Sequence, residues 1–343
     1  MGPTAVIPGV QYYDMESMRY YDNAYSEPEI VASLCGPAGT VTIGHYHSWH
    51  SSWGTNNSNK NRYMIKFLFS RSREPQRPSW NSTGAAPVNE ATEQDAIRGL
   101  VAARQHVWDW LGGQSEGQTK NGNGTTADIA RSIDALRDPE ASVRLGAAYS
   151  LGTAGESAVG PLIDSLRHAP EPGKTSDEPI RLNAANALSA IGSPAVPALI
   201  SLLNDDSPWW VRATAADTLG DVGEPSTDAV PALIRALDDE SEWVRRNSVN
   251  AMGTIGAGGD ALIMALRDAH PLVRCAAVSA LVRMCSGAEQ GAPGMGNGTD
   301  AAVRGLAEVM YEDEYAIVRE YAVTALEQIS HPTSIDFLEE HGT

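Results

Sequence analysis

The sequence predicts a multidomain, mainly α protein in which an α-α superhelical solenoid follows a short β-rich segment. Three observations predict it. An arginine preceded by a branched apolar residue recurs six times, at Arg144, Arg181, Arg212, Arg245, Arg274 and Arg319. A polar, glycine-rich stretch over 112–126 sets this repetitive half apart. Runs of β-branched and aromatic residues are concentrated in the first 84 residues.

Bulk composition narrows the function classes. The chain has 343 residues, of which 42% are hydrophobic and 20% charged, the composition of a folded protein and not of a disordered one. At roughly 100–200 residues per domain, two or three domains fit. Lys and Arg number 25 against 43 Asp and Glu, which leaves a net charge of −18 at pH 7. Phosphate binding needs a basic face, so nucleic acid is excluded as a general partner. No stretch approaches the ~18 apolar residues of a membrane span, and Met1–Met15 lacks the basic-then-apolar pattern of a secretory leader. Cys35, Cys275 and Cys285 show no CxxC spacing, which argues for a reducing compartment and against a disulfide framework. The Asn-x-Ser/Thr matches at Asn56, Asn81, Asn123 and Asn297 are read as chance. The expectation is a cytoplasmic protein with neither a membrane nor a nucleic-acid partner.

The first segment, 1–84, contains strand-like runs at 39–44 and 63–69, where Thr, Val, Ile, Tyr and Phe dominate. It also holds His45, His47 and His50. The second, 85–126, opens with a helical pattern over 89–111 that places Ile97, Leu100, Val101, Val107, Trp108 and Leu111 near one face. It continues into the Gly/Asn-rich stretch, which has nothing to bury and reads as a flexible linker.

The third segment, 127–343, repeats. The six arginines are spaced by 37, 31, 33, 29 and 45 residues, a period near the low thirties with two loop insertions. Before most of them runs a second helical pattern, as in Ala158-Val-Gly-Pro-Leu-Ile-Asp-Ser-Leu166, Ala195-Val-Pro-Ala-Leu-Ile-Ser-Leu-Leu203 and Ala229-Val-Pro-Ala-Leu-Ile-Arg-Ala-Leu237. Proline near a helix start costs no intrahelical hydrogen bond. Acidic turns, Asn204–Asp206 and Asp238–Glu240, separate the helices of a pair. Each pair buries its apolar face only by stacking on its neighbours, and alanines at the repeat centres allow close approach. The pattern resembles HEAT repeats, of the short type named after phycobilisome lyases, over about 127–330 and in about six helix pairs.

Two readings stand for the recurring arginines: an internal ladder of charge-assisted hydrogen bonds between stacked turns, or ligand contacts. Trp209 and Trp210, with Trp243 one repeat on, form either an aromatic contact surface or interhelix packing. The default role of such a solenoid is a scaffold that binds a protein partner on its concave face. HEAT-like deoxyhypusine hydroxylases hold two irons on His-Glu pairs, but here His168, His270, His331 and His341 are followed by Ala, Pro, Pro and Gly. That iron chemistry is therefore not expected.

In the first segment, a strand ends in histidine-rich sequence, Gly44-His-Tyr-His-Ser-Trp-His50, an asparagine-containing loop follows, and Arg62 opens the next strand. This resembles the phytanoyl-CoA dioxygenase family of Fe(II)- and 2-oxoglutarate-dependent oxygenases. The resemblance implies a partial β jelly roll (double-stranded β-helix), with His50 as an iron ligand and Arg62 as the anchor for the 2-oxoglutarate carboxylate. Asn56 or Asn57 matches the loop asparagine, Gly2–Gly9 the segment after the first iron ligands, and Pro78-Ser-Trp80 the domain's end. The His-x-Asp pair that supplies the other two ligands in the family has no counterpart in 1–84. The chain is thus expected to be the later part of such a domain, with Met1 internal to a longer reading frame. One imidazole does not hold Fe(II), so the chain itself is expected not to turn over. Asp14 and Glu16, with His45 and His47, are the other donors from which a self-contained metal site would have to be built. The competing reading is a non-enzymatic interaction protein.

Overall fold

The computed structural model describes residues 125–139, 141–172, 178–289, 298–329 and 331–341, with short pieces at 4–6, 32–34, 50–52, 77–78, 108 and 111–113. The chain divides into two compact units, Met1–Gln118 with Pro139–Gly146, and Thr119–Asp138 with Ala147–Thr343.

The first unit contains β1 (Thr4–Val6), β2 (Ala32–Leu34) and β3 (His50–Ser52), an antiparallel sheet in the order β2-β1-β3. Val6 stands opposite Ala32 on one side and His50 on the other. The remainder of the expected jelly roll lies outside the described residues, as do most of the helix expected at 89–111 and of the linker.

The described helices are α1 (Thr126–Ala135), α2 (Ala141–Ala154), α3 (Glu156–Arg167), α4 (Glu178–Ile191), α5 (Val196–Leu203), α6 (Trp209–Val222), α7 (Val230–Arg235), α8 (Glu242–Ile255), α9 (Gly259–Ala265), α10 (Pro271–Glu289), α11 (Thr299–Glu312), α12 (Ala316–Ile329) and α13 (Pro332–His341). Short 3₁₀ turns, Ser193–Ala195 and Glu224–Ala229, lead into α5 and α7. A capping box starts α1: Thr125 Oγ1 accepts from the Asp128 N–H at 3.2 Å, while the Thr125 N–H donates to Asp128 Oδ2 at 3.3 Å.

The second unit is the expected solenoid. Its second helices pack in series, α4 on α6, α6 on α8, α8 on α10 and α10 on α12, and the first helices form the adjoining layer. Between the layers lie fully buried leucines such as Leu162, Leu188, Leu199, Leu219 and Leu233. Small residues set the distance between successive second helices. A Cβ added at Gly152 would meet Ala190 Cβ at 2.8 Å, one at Gly220 Ala251 Cα at 2.9 Å, and one at Gly253 Ala280 Cβ at 2.6 Å. Glycine recurs there because the helix axes are too close for any side chain.

One local expectation is corrected. Pro197 and Pro231 do sit in the first turns of α5 and α7. Pro161, however, lies inside α3, because that helix begins at Glu156 instead of being preceded by a 3₁₀ turn. It therefore costs one intrahelical bond that the other two prolines spare.

Candidate functional site

The turns between paired helices are held by one device repeated three times. Arg212 donates from Nε and Nη2 to the two oxygens of Asp239, at 2.7 and 2.8 Å. Arg245 grips Asp268 the same way at 2.8 and 3.0 Å, and Arg274 grips Asp313 at 2.6 and 2.9 Å. The remaining Nη1 of each turns back to carbonyls before its own helix: Ser207 for Arg212, Asp239 for Arg245, Asp268 for Arg274. Each aspartate in turn accepts from the backbone N–H two residues on, from Ser241, His270 and Tyr315. The planar guanidinium fork suits two parallel bonds, which lysine cannot form. Burial works against the charge on these three aspartates. The hydrogen bonds from arginine and backbone outweigh it and hold all three carboxyls below their ordinary value.

The internal ladder is thus the reading realised for Arg212, Arg245 and Arg274. Arg144 and Arg319 also return to their own turns, at Pro139 and Asp313. Arg181 departs from the pattern and donates to Thr214 Oγ1 at 3.0 Å, while Asp205, its expected acceptor, is taken by Arg167 at 3.0 Å.

Because the ladder faces inward, the residues flanking it define the surface. Trp209 and Trp243 stack, with ring centroids 6.4 Å apart and planes inclined by 23°. Trp210 meets Trp209 edge-on at 5.8 Å and donates its indole N–H to the Ala169 carbonyl at 3.1 Å. Trp209 and Trp210 are both half-buried against the core, and Trp243, stacked on Trp209, is the exposed ring of the three. Arg246 lies over the Trp243 ring, 4.8 Å from its centroid. The position four residues after each turn aspartate continues the row from Trp209: Trp243 is 43% exposed, Leu272 48% and Ile317 50%. These residues start successive second helices, so they form a ridge along the turn edge of the stack. Tyr315, exposed and 5.5 Å from the Arg274 guanidinium, adjoins its end.

Beside that end lies a cleft of about 350 Å³ between α9 and α11. Its lining includes Ile263, Leu266 and Val309 and five carboxylates, Asp268, Glu308, Glu312, Asp313 and Glu314. Its two arginines are committed, Arg267 to Glu308 at 2.6 Å and Arg274 to Asp313.

The oxygenase-type residues are not brought together by anything described. His50 lies in β3, and Arg62, His45, His47, Asp14, Glu16, Asn56 and Asn57 fall outside the described residues. Among the described residues no three His, Cys, Asp or Glu side chains are grouped to hold a metal ion, and no single helix is long and apolar enough to cross a bilayer. Cys275 and Cys285 are buried free thiols, and burial pushes the Cys285 thiol up to about 11. Sequence reasoning singled out the tryptophans but missed Leu272 and Ile317. The signal was present, since both occupy the same place relative to the repeated arginine.

The family model for HEAT repeats matches residues 129–220 and 196–281, so this part of the chain is built of HEAT repeats. Among solved structures, the CpcE–CpcF complex of phycocyanin lyase from Nostoc sp. PCC7120 is 21% identical with a TM-score of 0.42, over 49% of this chain and 98% of that one. Yeast importin-β (Kap95p) is 16% identical with a TM-score of 0.46, over 66% of this chain and 34% of that one. A designed armadillo repeat protein in complex with the peptide (KR)4 is 20% identical with a TM-score of 0.39, over 59% of this chain and all of that one. No curated protein matches the chain.

Proposed function

We propose that the chain is a protein-binding scaffold whose contact surface is the ridge of Trp209, Trp243, Leu272 and Ile317. The observation that carries the proposal is the stack of the exposed Trp243 on the half-buried Trp209, held on a laddered frame. Aromatic residues dominate binding hot spots, and a surface already fixed before binding loses little conformational entropy when a partner lands. In this reading the partner, expected from sequence on the concave face of the stack, contacts the turn edge. The scaffold works in a reducing, cytoplasmic setting, in keeping with its buried free thiols.

Affinity capture with the full chain and with Trp243→Ala, followed by crosslink mapping, tests this. Partner crosslinks are expected around 209, 243, 272 and 317 and are expected to vanish in the variant. Crosslinks that survive Trp243→Ala refute it.

A second reading concerns residues 1–84 alone: a piece of a 2-oxoglutarate-dependent oxygenase domain, with His50 toward iron and Arg62 toward 2-oxoglutarate. It is supported by the pairing of β1, in the Gly-Pro-Thr segment, with β3, which carries His50. The residues present do not fit an iron centre, since one imidazole falls short of three donors. Oxygen-dependent succinate release from a form extended upstream, lost on His50→Ala, is the measurement that supports this reading, and no release from that form refutes it.

A further inference from the structure

We propose that the occupant of the ridge is a cationic segment of a partner protein, with an apolar side chain at every third residue and lysine or arginine between. The inference rests on the scaffold reading and adds the partner's chemistry.

Along the turn edge an acid stands three residues before three of the four ridge residues, and Ala269 holds that place before Leu272. The aspartates Asp239 and Asp313 are neutralised by their arginines, and the residue after each is an exposed acid: Glu240 and Glu314. Asp206, after Asp205, is a third. Glu240 has only a loose contact, 3.8 Å from Arg212. Each of these acids stands three residues before a ridge residue, Trp209, Trp243 or Ile317. Arg246, beside the ridge, stacks on the Trp243 ring and keeps its positive charge there, where it is outnumbered by these acids. At the far end the cleft offers an apolar floor with Glu312 and Glu314 free of ion partners, the shape and charge that accept a long cationic side chain by its stem and its head. A ligand cleft of this kind starts at about 300 Å³, so one side chain fits.

Spacing selects the segment's conformation. Packed helices are about 8–10 Å apart, which sets the step of the ridge. A polyproline II chain has three residues per turn and rises about 3.1 Å per residue, so every third side chain returns to the same face about 9 Å on. A second copy of this chain is a poor occupant, because each copy carries −18.

The probes are fluorescein-labelled (Leu-Pro-Lys)4, (Leu-Pro-Gln)4 and (Leu-Pro-Glu)4, titrated with the full chain by anisotropy at 50 and 500 mM salt. The lysine peptide is expected to bind at least tenfold tighter than the glutamine peptide at low salt, with the advantage shrinking at high salt. Glu312→Gln with Glu314→Gln is expected to weaken it about threefold or more, and Trp243→Ala to remove binding, with helical circular dichroism unchanged. Equal affinity for the glutamine peptide, with sensitivity to Trp243→Ala, overturns the charge inference and leaves the ridge reading standing. No binding of any peptide, with partner capture still dependent on Trp243, does the same. Self-association abolished by Trp243→Ala replaces the cationic segment with a second copy, and peptide binding indifferent to Trp243→Ala sinks both readings.

Discussion

The arginine at the start of the second helix occupies one register throughout the solenoid, yet its two halves use it differently. At Arg212, Arg245 and Arg274 it reaches across the interface and clamps the next turn's aspartate with both prongs. Arg181 donates to a threonine on the neighbouring helix, and Asp205 is instead strapped by Arg167, a first-layer arginine whose side chain is 42% exposed. The two arrangements satisfy the same kind of turn, since Asp205 also accepts from the Ser207 N–H just as Asp239 does from Ser241. What differs is desolvation. The Arg274 and Asp313 side chains are 8% and 5% exposed, so neither charge has an alternative to the other.

That contrast is broken most directly by truncation. Arg274→Ala is expected to cost about 3–5 kcal/mol, because it strands a buried carboxylate. Arg167→Ala is expected to cost about 0–1 kcal/mol, the range of exposed pairs. Urea midpoints of the full chain measure both, and equal losses would erase the distinction between clamp and strap. Acid sharpens it further. The carboxyls of Asp239, Asp268 and Asp313 bind protons less readily folded than unfolded. Their stabilisation is therefore complete above the ordinary aspartate value of about 3.9 and is lost as pH falls through the depressed values. The solenoid is expected to unfold in that acid window, and Arg274→Met to lose the share of the transition owed to Asp313. An acid transition unchanged by Arg274→Met counts against the ladder as its cause.

The repeat, its alanine centres and the arginine register were legible in the sequence because periodicity exposes whatever every repeat must do. The partners were not. Nothing in the string distinguishes Arg181 from Arg212, since the choice depends on whether Thr214 or an aspartate lies within reach across a helix interface. The ridge was half legible. Tryptophans draw the eye wherever they fall, whereas Leu272 and Ile317 resemble core residues until burial shows them outside. The oxygenase-like reading of 1–84 rests on local pattern alone, and a metal centre is a property of spatial convergence that spacing along a chain cannot supply.

Packing between second helices separates the two kinds of helical glycine in the same way. Gly253→Ala drives a methyl into Ala280, whose Cα would stand 2.8 Å away, in the well-ladderered half. It is expected to cost about 1–3 kcal/mol. Gly160, inside α3, has nothing within 4 Å of an added Cβ. Gly160→Ala is expected to stabilise by about 0.5–1 kcal/mol, the backbone entropy that glycine forfeits in a helix. Thermal midpoints moving in opposite directions are the expected result, and destabilisation by both would mean that the close approach is not specific to the interface positions.

The smallest effect tests the clamp by its absence. Asp221, on α6, lies four residues from Asp217 and has no arginine. Asp221 is exposed at the surface, yet the protein crowding its carboxyl, with the Asp217 charge second, pushes it up to about 6. The sign is opposite to that of the clamped aspartates. Between about 3.9 and 6 the folded chain holds this proton more tightly than the unfolded chain, so folding loses stability as pH rises through that window. Asp221→Asn removes the penalty and is expected to raise the thermal midpoint at pH 7.5, by roughly a fraction of a kcal/mol because the residue keeps solvent access. At pH 4 the wild type is already protonated at this site, and the advantage is expected to disappear. A gain of equal size at both pH values would mean that the substitution acts through packing or helix propensity, and that the missing arginine costs α6 nothing.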